Sequence, residues 1–202
     1  MRGQSQLISV VIVITLALFV IALVLPWAFL MIQKKKDMKS LDDVYNFFQT
    51  LDTTIRNIAK TGGEESLQLK VPGELAFYPE SLNSILNNSI VFSFGSKVSN
   101  IAECDDCWIP LNTPNMNDTG TLGLDSPSVI MGRAEIHEDN IDVNYRLWYR
   151  TLNDTSGNAY KIVLNTSDNM GKTTTTGFLR IQKLSSKDVD QTLTITEINI
   201  IV

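Results

Sequence analysis

Three patterns of apolar and polar positions follow one another along the chain. From Leu7 to Ile32 only Ser9 and Thr15 interrupt an otherwise apolar run of 26 residues. A helix over this stretch is apolar on every face and must be covered on all sides. At 1.5 Å per residue it spans ~39 Å, more than the ~30 Å hydrocarbon core of a bilayer. Past Lys34-Lys35-Lys36 and Asp37 the run gives way to a stripe: Leu41, Phe48 and Ile55 are seven apart, as are Val44, Leu51 and Ile58. That spacing predicts an amphipathic helix whose stripe faces a core, with Asp, Lys, Thr and Arg on its other faces. Nothing between Lys34 and Met38 breaks a helix, and Gly62-Gly63 supplies a stop. The expectation is one nearly continuous helix over 4–61, apolar all round in 7–32 and amphipathic in 37–60.

The third pattern fills 62–202. SLQLKV places Leu67, Leu69 and Val71 on one face, and Ile90–Phe94 is a compact apolar run. SVIMGRAEI, IDVNYRLWYR, NAYKIVLN, GFLRIQK and TLTITEINIIV follow, each bounded by Gly, Asn, Asp or Ser. Val143, Tyr145, Leu147 and Tyr149 alternate with polar partners, the two-residue period of a half-buried strand. Seven strands without interleaved helices predict an antiparallel β-sandwich head, so the fold class expected is α+β. Glu80–Leu86 reads as a short helical turn, and Pro110–Pro127, rich in Asn, Asp, Thr, Pro and Gly, as an exposed loop.

Charge divides the same way. The first 36 residues hold Arg2, Lys34, Lys35 and Lys36 and no acid, which leaves 13 of the 17 basic residues against all 22 acidic ones in the remainder. An acidic domain on an apolar stalk is a poor partner for nucleic acid, which needs clustered Lys and Arg. It is soluble by its charge.

The apolar run has three possible uses: a signal that is discarded, an anchor that stays in lipid, or a rod that lipid stores until something else buries it. A secretory signal has a 7–15-residue apolar centre and then a small-residue cleavage site. Here the run is far longer, and no such site follows. In front of it stands Arg2-Gly3-Gln4-Ser5, a basic residue and a glycine before a short polar step. This start resembles the class III signal of archaeal type IV pilins and archaellins, over about 30 of the 202 residues. The resemblance implies a cut between Gly3 and Gln4 by a membrane peptidase, with 1–3 as the leader and the apolar helix kept. The run lacks the glutamate that many bacterial pilins carry near the helix start, while Pro26 matches their kinking proline.

Taken further, the resemblance implies a lollipop-shaped subunit that is membrane-inserted before assembly. It then polymerises with copies of itself into an extracellular filament, for adhesion. Leu7, Ile8, Val11, Ile14, Leu18, Ile21 and Leu25 would form the filament core. A prepilin peptidase, an assembly ATPase and a platform protein are the implied partners. The lysines that follow the run would lie in the cytoplasm by the positive-inside rule. The rest of the chain reads as extracellular, so an outward head is expected, with the lysines against outer headgroups or neighbouring acidic heads. The alternative is a single-pass surface protein with a ligand-binding β-sandwich.

Little else reads as chemistry. Cys104-Asp-Asp-Cys107 is the one cysteine pair. It can be a structural disulfide, two inert thiols, part of a metal site or a redox centre. Zinc would need two more ligands, and no βαβ pattern of a redox motif surrounds the pair, so a disulfide is the expectation. The four sequons, at Asn87, Asn117, Asn153 and Asn165, fall in predicted turns of the head and mark candidate N-glycan sites. Thr173–Thr176 reads as a polar β turn or strand start, with an O-linked site as the minority reading. His137 among Glu135, Glu138 and Asp139 reads as a solvated turn residue, with a metal site as the minority reading. There is no GxSxG, phosphate loop or HExxH, so no catalytic residue, cofactor or metal is expected and the chain reads as a non-enzyme. Trp148 and Tyr149 are expected as core and sheet-face residues.

Overall fold

A computed structural model describes residues 2–81, 85–104, 106–138, 140–166, 172–174, 178–189 and 192–201, with side chains from Val10 onward except in 172–174. Arg2–Thr61 form one helix, α1, with Pro26 inside it. It begins two residues before the span expected from sequence. The Gly62 amide closes its last turn on the Ile58 carbonyl (2.8 Å), and Gly62 and Gly63 take φ of 77° and 98°. Those left-handed values are open to glycine at no steric cost, which is why the helix stops here.

The remainder is built of two six-stranded sheets. The first sheet contains β1 (Glu64–Gln68), β5 (Thr119–Thr121), β8 (Thr151–Asn153), β9 (Ala159–Asn165), β11 (Phe178–Asp188) and β12 (Leu193–Ile201). Its order is β1-β11-β12-β9-β8-β5. The second contains β2 (Glu74–Tyr78), β3 (Ser89–Ser96), β4 (Ile109–Pro110), β6 (Ser128–His137), β7 (Asn140–Tyr149) and β10 (Lys172–Thr174), in the order β10-β2-β3-β7-β6-β4. A long helix followed by a sheet-rich, mostly antiparallel domain is the α+β arrangement expected.

Two pairings depart from the antiparallel expectation: β12 with β9, and β5 with β8, run parallel. The Ser66–Val71 run is a strand only as far as Gln68, although Leu69 and Val71 are buried. Strands β2, β4, β5, β8 and β10 have no counterpart among the seven expected. Of Glu80–Leu86, residues 82–84 lie outside the described ones, and the rest are turns. The Pro110–Pro127 segment is mostly exposed and also carries β5.

The core is where the helix stripe meets both sheets. Leu41, Val44, Phe48, Leu51 and Ile55 are wholly buried. They share one hydrophobic cluster with Leu164, Leu179, Ile198 and Ile200 of the first sheet and Ile90, Phe92, Val143 and Leu147 of the second. The Phe48 and Tyr145 rings lie 5.9 Å apart, tilted, and Tyr145 stacks on Phe94. Tyr149 is buried and Trp148 half-buried, as expected.

Candidate assembly surface

One continuous helix crosses two environments. Every large apolar side chain from Val10 to Ile32 is 46–66% exposed, while the stripe from Leu41 to Ile58 is at most 4% exposed. Val11, Ile14, Leu18, Ile21 and Leu25 all lie on the exposed part. The side chains of Leu7 and Ile8, and those of Gly3 and Gln4, fall outside the described residues, though all four positions belong to α1. Thr15 does not open the surface to water: its hydroxyl donates back to the Val11 carbonyl at 2.8 Å. The described chain has one helix long and apolar enough to cross a membrane.

The head begins at Asp37. Its carboxylate accepts from the Lys97 amide (2.8 Å) and from Gln33 Nε2 (2.7 Å), so it fastens the helix to the loop after β3. Lys34, Lys35 and Lys36, one turn earlier, are exposed. They form a basic collar between the apolar rod and the acidic head.

Inside the head, three polar groups hold the helix and sheets in place. Asp52 is 4% exposed. It accepts from the Tyr149 hydroxyl at 2.9 Å and pairs with Arg56 at 3.0 Å. The sequence reading placed Asp and Thr on the outer faces of the helix. Asp52 and Thr54 are buried instead, Asp52 because it lies four residues after Phe48 and three before Ile55 on the core side of α1. Arg150, 1% exposed, reaches the carbonyls of Ser126 (2.9 Å) and Asn115 (3.0 Å) and so pins the loop before β6. Arg146 donates to the Ile85 carbonyl and lies over the rings of Trp108 and Trp148. Burial lowers the Arg146 pKa to about 10. Neither arginine was singled out from sequence, because each faces partners far along the chain.

Burial raises the Asp52 carboxyl above its ordinary value of 3.8, against bonds from Ser128 and Tyr149 and the attraction of Arg56. A carboxyl raised on folding stabilises in its protonated form. Its contribution is complete below 3.8 and is lost as pH rises through the raised value. Asp52→Asn removes that loss. The melting temperature of the variant relative to the native chain should therefore rise as pH goes from about 4 to about 7. Melting curves across that range check it, and a constant difference would contradict it.

The other sequence-predicted sites are dispersed. Cys104 and Cys107 are joined as a disulfide, with Cα atoms 5.5 Å apart. The Cys104 amide donates to the Ala134 carbonyl on β6, and Trp108, next to the bridge, lies under Arg133. The bridge thus shapes a loop laid on the second sheet. Asn117 and Asn153 are exposed, whereas Asn87 and Asn165 are half-buried. Ser89 of the Asn87 sequon is buried, with its hydroxyl on the Leu86 carbonyl. Ser167 of the Asn165 sequon, Thr175 and Thr176 lie outside the described residues. His137 is 60% exposed at the end of β6, 3.7 Å from Glu135 and 3.6 Å from Asp142. Asp139 lies outside the described residues. Among those described, no three His, Cys, Asp or Glu side chains converge as a metal would require.

Compared with protein-family models, with curated proteins and with solved structures, the chain matches none. A functional reading therefore rests on the residues and their geometry.

Proposed function

We propose that the chain is a structural subunit of an extracellular, archaeal type IV pilus-like filament that polymerises through its N-terminal helix and serves adhesion. The observation that carries this reading is the contrast along α1: a stripe buried in the head, continuing into a rod exposed on every face. Such a rod cannot remain in water. Lipid covers Leu7–Ile32 before assembly, and sister rods cover it afterwards. Each large apolar side chain fully buried contributes ~1.5–3 kcal/mol, enough in number to hold a bundle without covalent links. Moving the rod from lipid to bundle gains little, because the two are equally apolar. Assembly therefore calls for an ATPase and a platform protein, after a prepilin peptidase has cut between Gly3 and Gln4. In this reading the two sheets form a sandwich closed over the amphipathic half of α1. The lysine collar meets outer headgroups first and acidic heads later. Asn117 and Asn153 are the sequons best placed to carry glycans.

The test is the native protein itself. Mass spectrometry is expected to find Gln4 at its N-terminus, and electron microscopy to find filaments in sheared-cell fractions. Replacing Arg2 and Gly3 together should leave the chain unprocessed and membrane-bound. A native chain that starts at Met1 and leaves the envelope only in detergent would be a single-pass surface protein with a ligand-binding head.

A further inference from the structure

The helix ends before the first sheet does. Lys183 pairs with Ile198 across β11 and β12, and it also reaches the end of α1. Its ammonium donates to the Ala59 carbonyl (2.7 Å) and its amide to Gly63 (3.3 Å). The end of α1 therefore lies level with Ile198. Strand β12 starts at Leu193, with Ala159 of β9 beside it in parallel register. Side chains alternate along strands, so Thr194 and Thr196 share the face of Ile198, and Tyr160 and Ile162 that of Leu164. Ile198 and Leu164 belong to the core under the helix. The rungs before them line one cavity together with Arg56, Ala59 and Lys60 at the end of α1. Leu122 and Pro127 also line it.

The result is a cavity of about 560 Å³ with Leu152, Tyr160 and Ile162 on its floor and Arg56, Ala59 and Lys60 along its rim. That volume is of the size that takes small molecules. Its charge is opposite to that of the head around it. The charged groups lining it are the cations Arg56, Lys60 and Lys161, in a head where acids outnumber bases. The Asp188 carboxylate stands beside it, accepting from the Thr194 hydroxyl (2.8 Å). Arg56 is engaged by Asp52 and Lys161 by Glu80. Lys60, exposed on the last turn of α1, has no acidic partner among the described residues. An apolar floor with one uncommitted ammonium at its rim is complementary to a molecule with an apolar body and a single anionic end. A neutral sugar would find few polar groups beyond two threonines and one tyrosine hydroxyl. The site lies ~42 Å along the helix from Ile32, so burying the rod leaves it open.

We propose that this cavity binds a small amphipathic anion, with its alkyl or aryl portion against Leu152, Tyr160 and Ile162 and its carboxylate on Lys60. This goes beyond the filament reading and does not depend on it. The test uses the full chain in neutral detergent and a medium-chain alkyl carboxylate bearing a diazirine, with crosslinked residues mapped by mass spectrometry. Labelling is expected within 152–162 and 194–196, displaced by decanoate and less well by decanol. Lys60→Glu, at an exposed position, should reduce it about fivefold. Thr196→Trp, which fills the cavity, should abolish it. Labelling confined to the apolar rod, or equal displacement by decanol and no effect of Lys60→Glu, would overturn the proposal.

Discussion

Leu18→Asp is expected to leave cells without filaments while the head still folds and the chain still reaches the membrane. Leu18 is 61% exposed, in the middle of the apolar rod and remote from the core around Phe48. An Asp at the centre of a membrane helix costs ~2.5–3.5 kcal/mol, against ~0.3–0.6 kcal/mol gained by each Leu, Ile, Phe or Val. With about 20 large apolar residues in the run, membrane insertion survives one carboxylate. A bundle does not, because every subunit brings the same carboxylate into the same apolar interior. The lipid-held chain already carries that insertion cost, so what opposes addition is the repulsion of like charges in a dry interior. Two carboxylates ~10 Å apart at an effective dielectric of ~20 repel by ~1.7 kcal/mol, a factor of roughly 10 or more in affinity for each such neighbour. Leu18→Ala, which only thins the contact, should shorten filaments rather than abolish them. The measurement pairs filament counts by electron microscopy with the amount of chain in the membrane fraction. Abundant filaments from the Asp variant would mean that the rod is not the filament core.

What was legible beforehand follows from the range over which each feature acts. The stripe of α1 repeats every seven residues, and all six positions read from it are buried. The Gly62-Gly63 stop is a two-residue signal, and both glycines take the left-handed conformation that explains it. The strands found from sequence are those with long apolar or alternating runs. β5 and β8 have three residues each and are strands only through their neighbours, β5 by pairing in parallel with β8, and β8 by pairing with β5 and antiparallel with β9. No window that short carries a period. The rod announced itself by composition, and the change to a stripe past Asp37 marked where the head begins, but what fastens the helix there was not legible. Asp37 reads as one more charge after three lysines until Lys97, 60 residues on, is seen to donate to it. The cavity at the helix end was equally hidden, since it depends on where α1 stops relative to β12, a matter of register between elements more than a hundred residues apart.

Asn88 is the position where such long-range geometry should cost most to disturb. It is 1% exposed, with φ of 52°. Its Nδ2 donates to the Tyr149 carbonyl (2.9 Å) and the Ile162 carbonyl (2.8 Å), and its Oδ1 accepts from the Leu164 amide (2.8 Å). One side chain thus completes backbone groups at the end of β7 and along β9, joining the second sheet to the first. Leucine at this position has similar volume and none of these bonds. Each buried backbone group left unpaired costs ~1–3 kcal/mol, so Asn88→Leu should destabilise the head by ~3–5 kcal/mol. That corresponds to a fall in melting temperature of roughly 10 °C or more. Asn88→Gly separates the two causes, because it accepts the left-handed backbone freely and still loses the three bonds. It should recover only ~1 kcal/mol of the loss. Both variants keep the Asn87 sequon intact, so a change in glycosylation does not enter the comparison. Thermal melts followed by near-ultraviolet circular dichroism decide it: a glycine variant as stable as the native chain would show that the sheets are held by apolar packing alone.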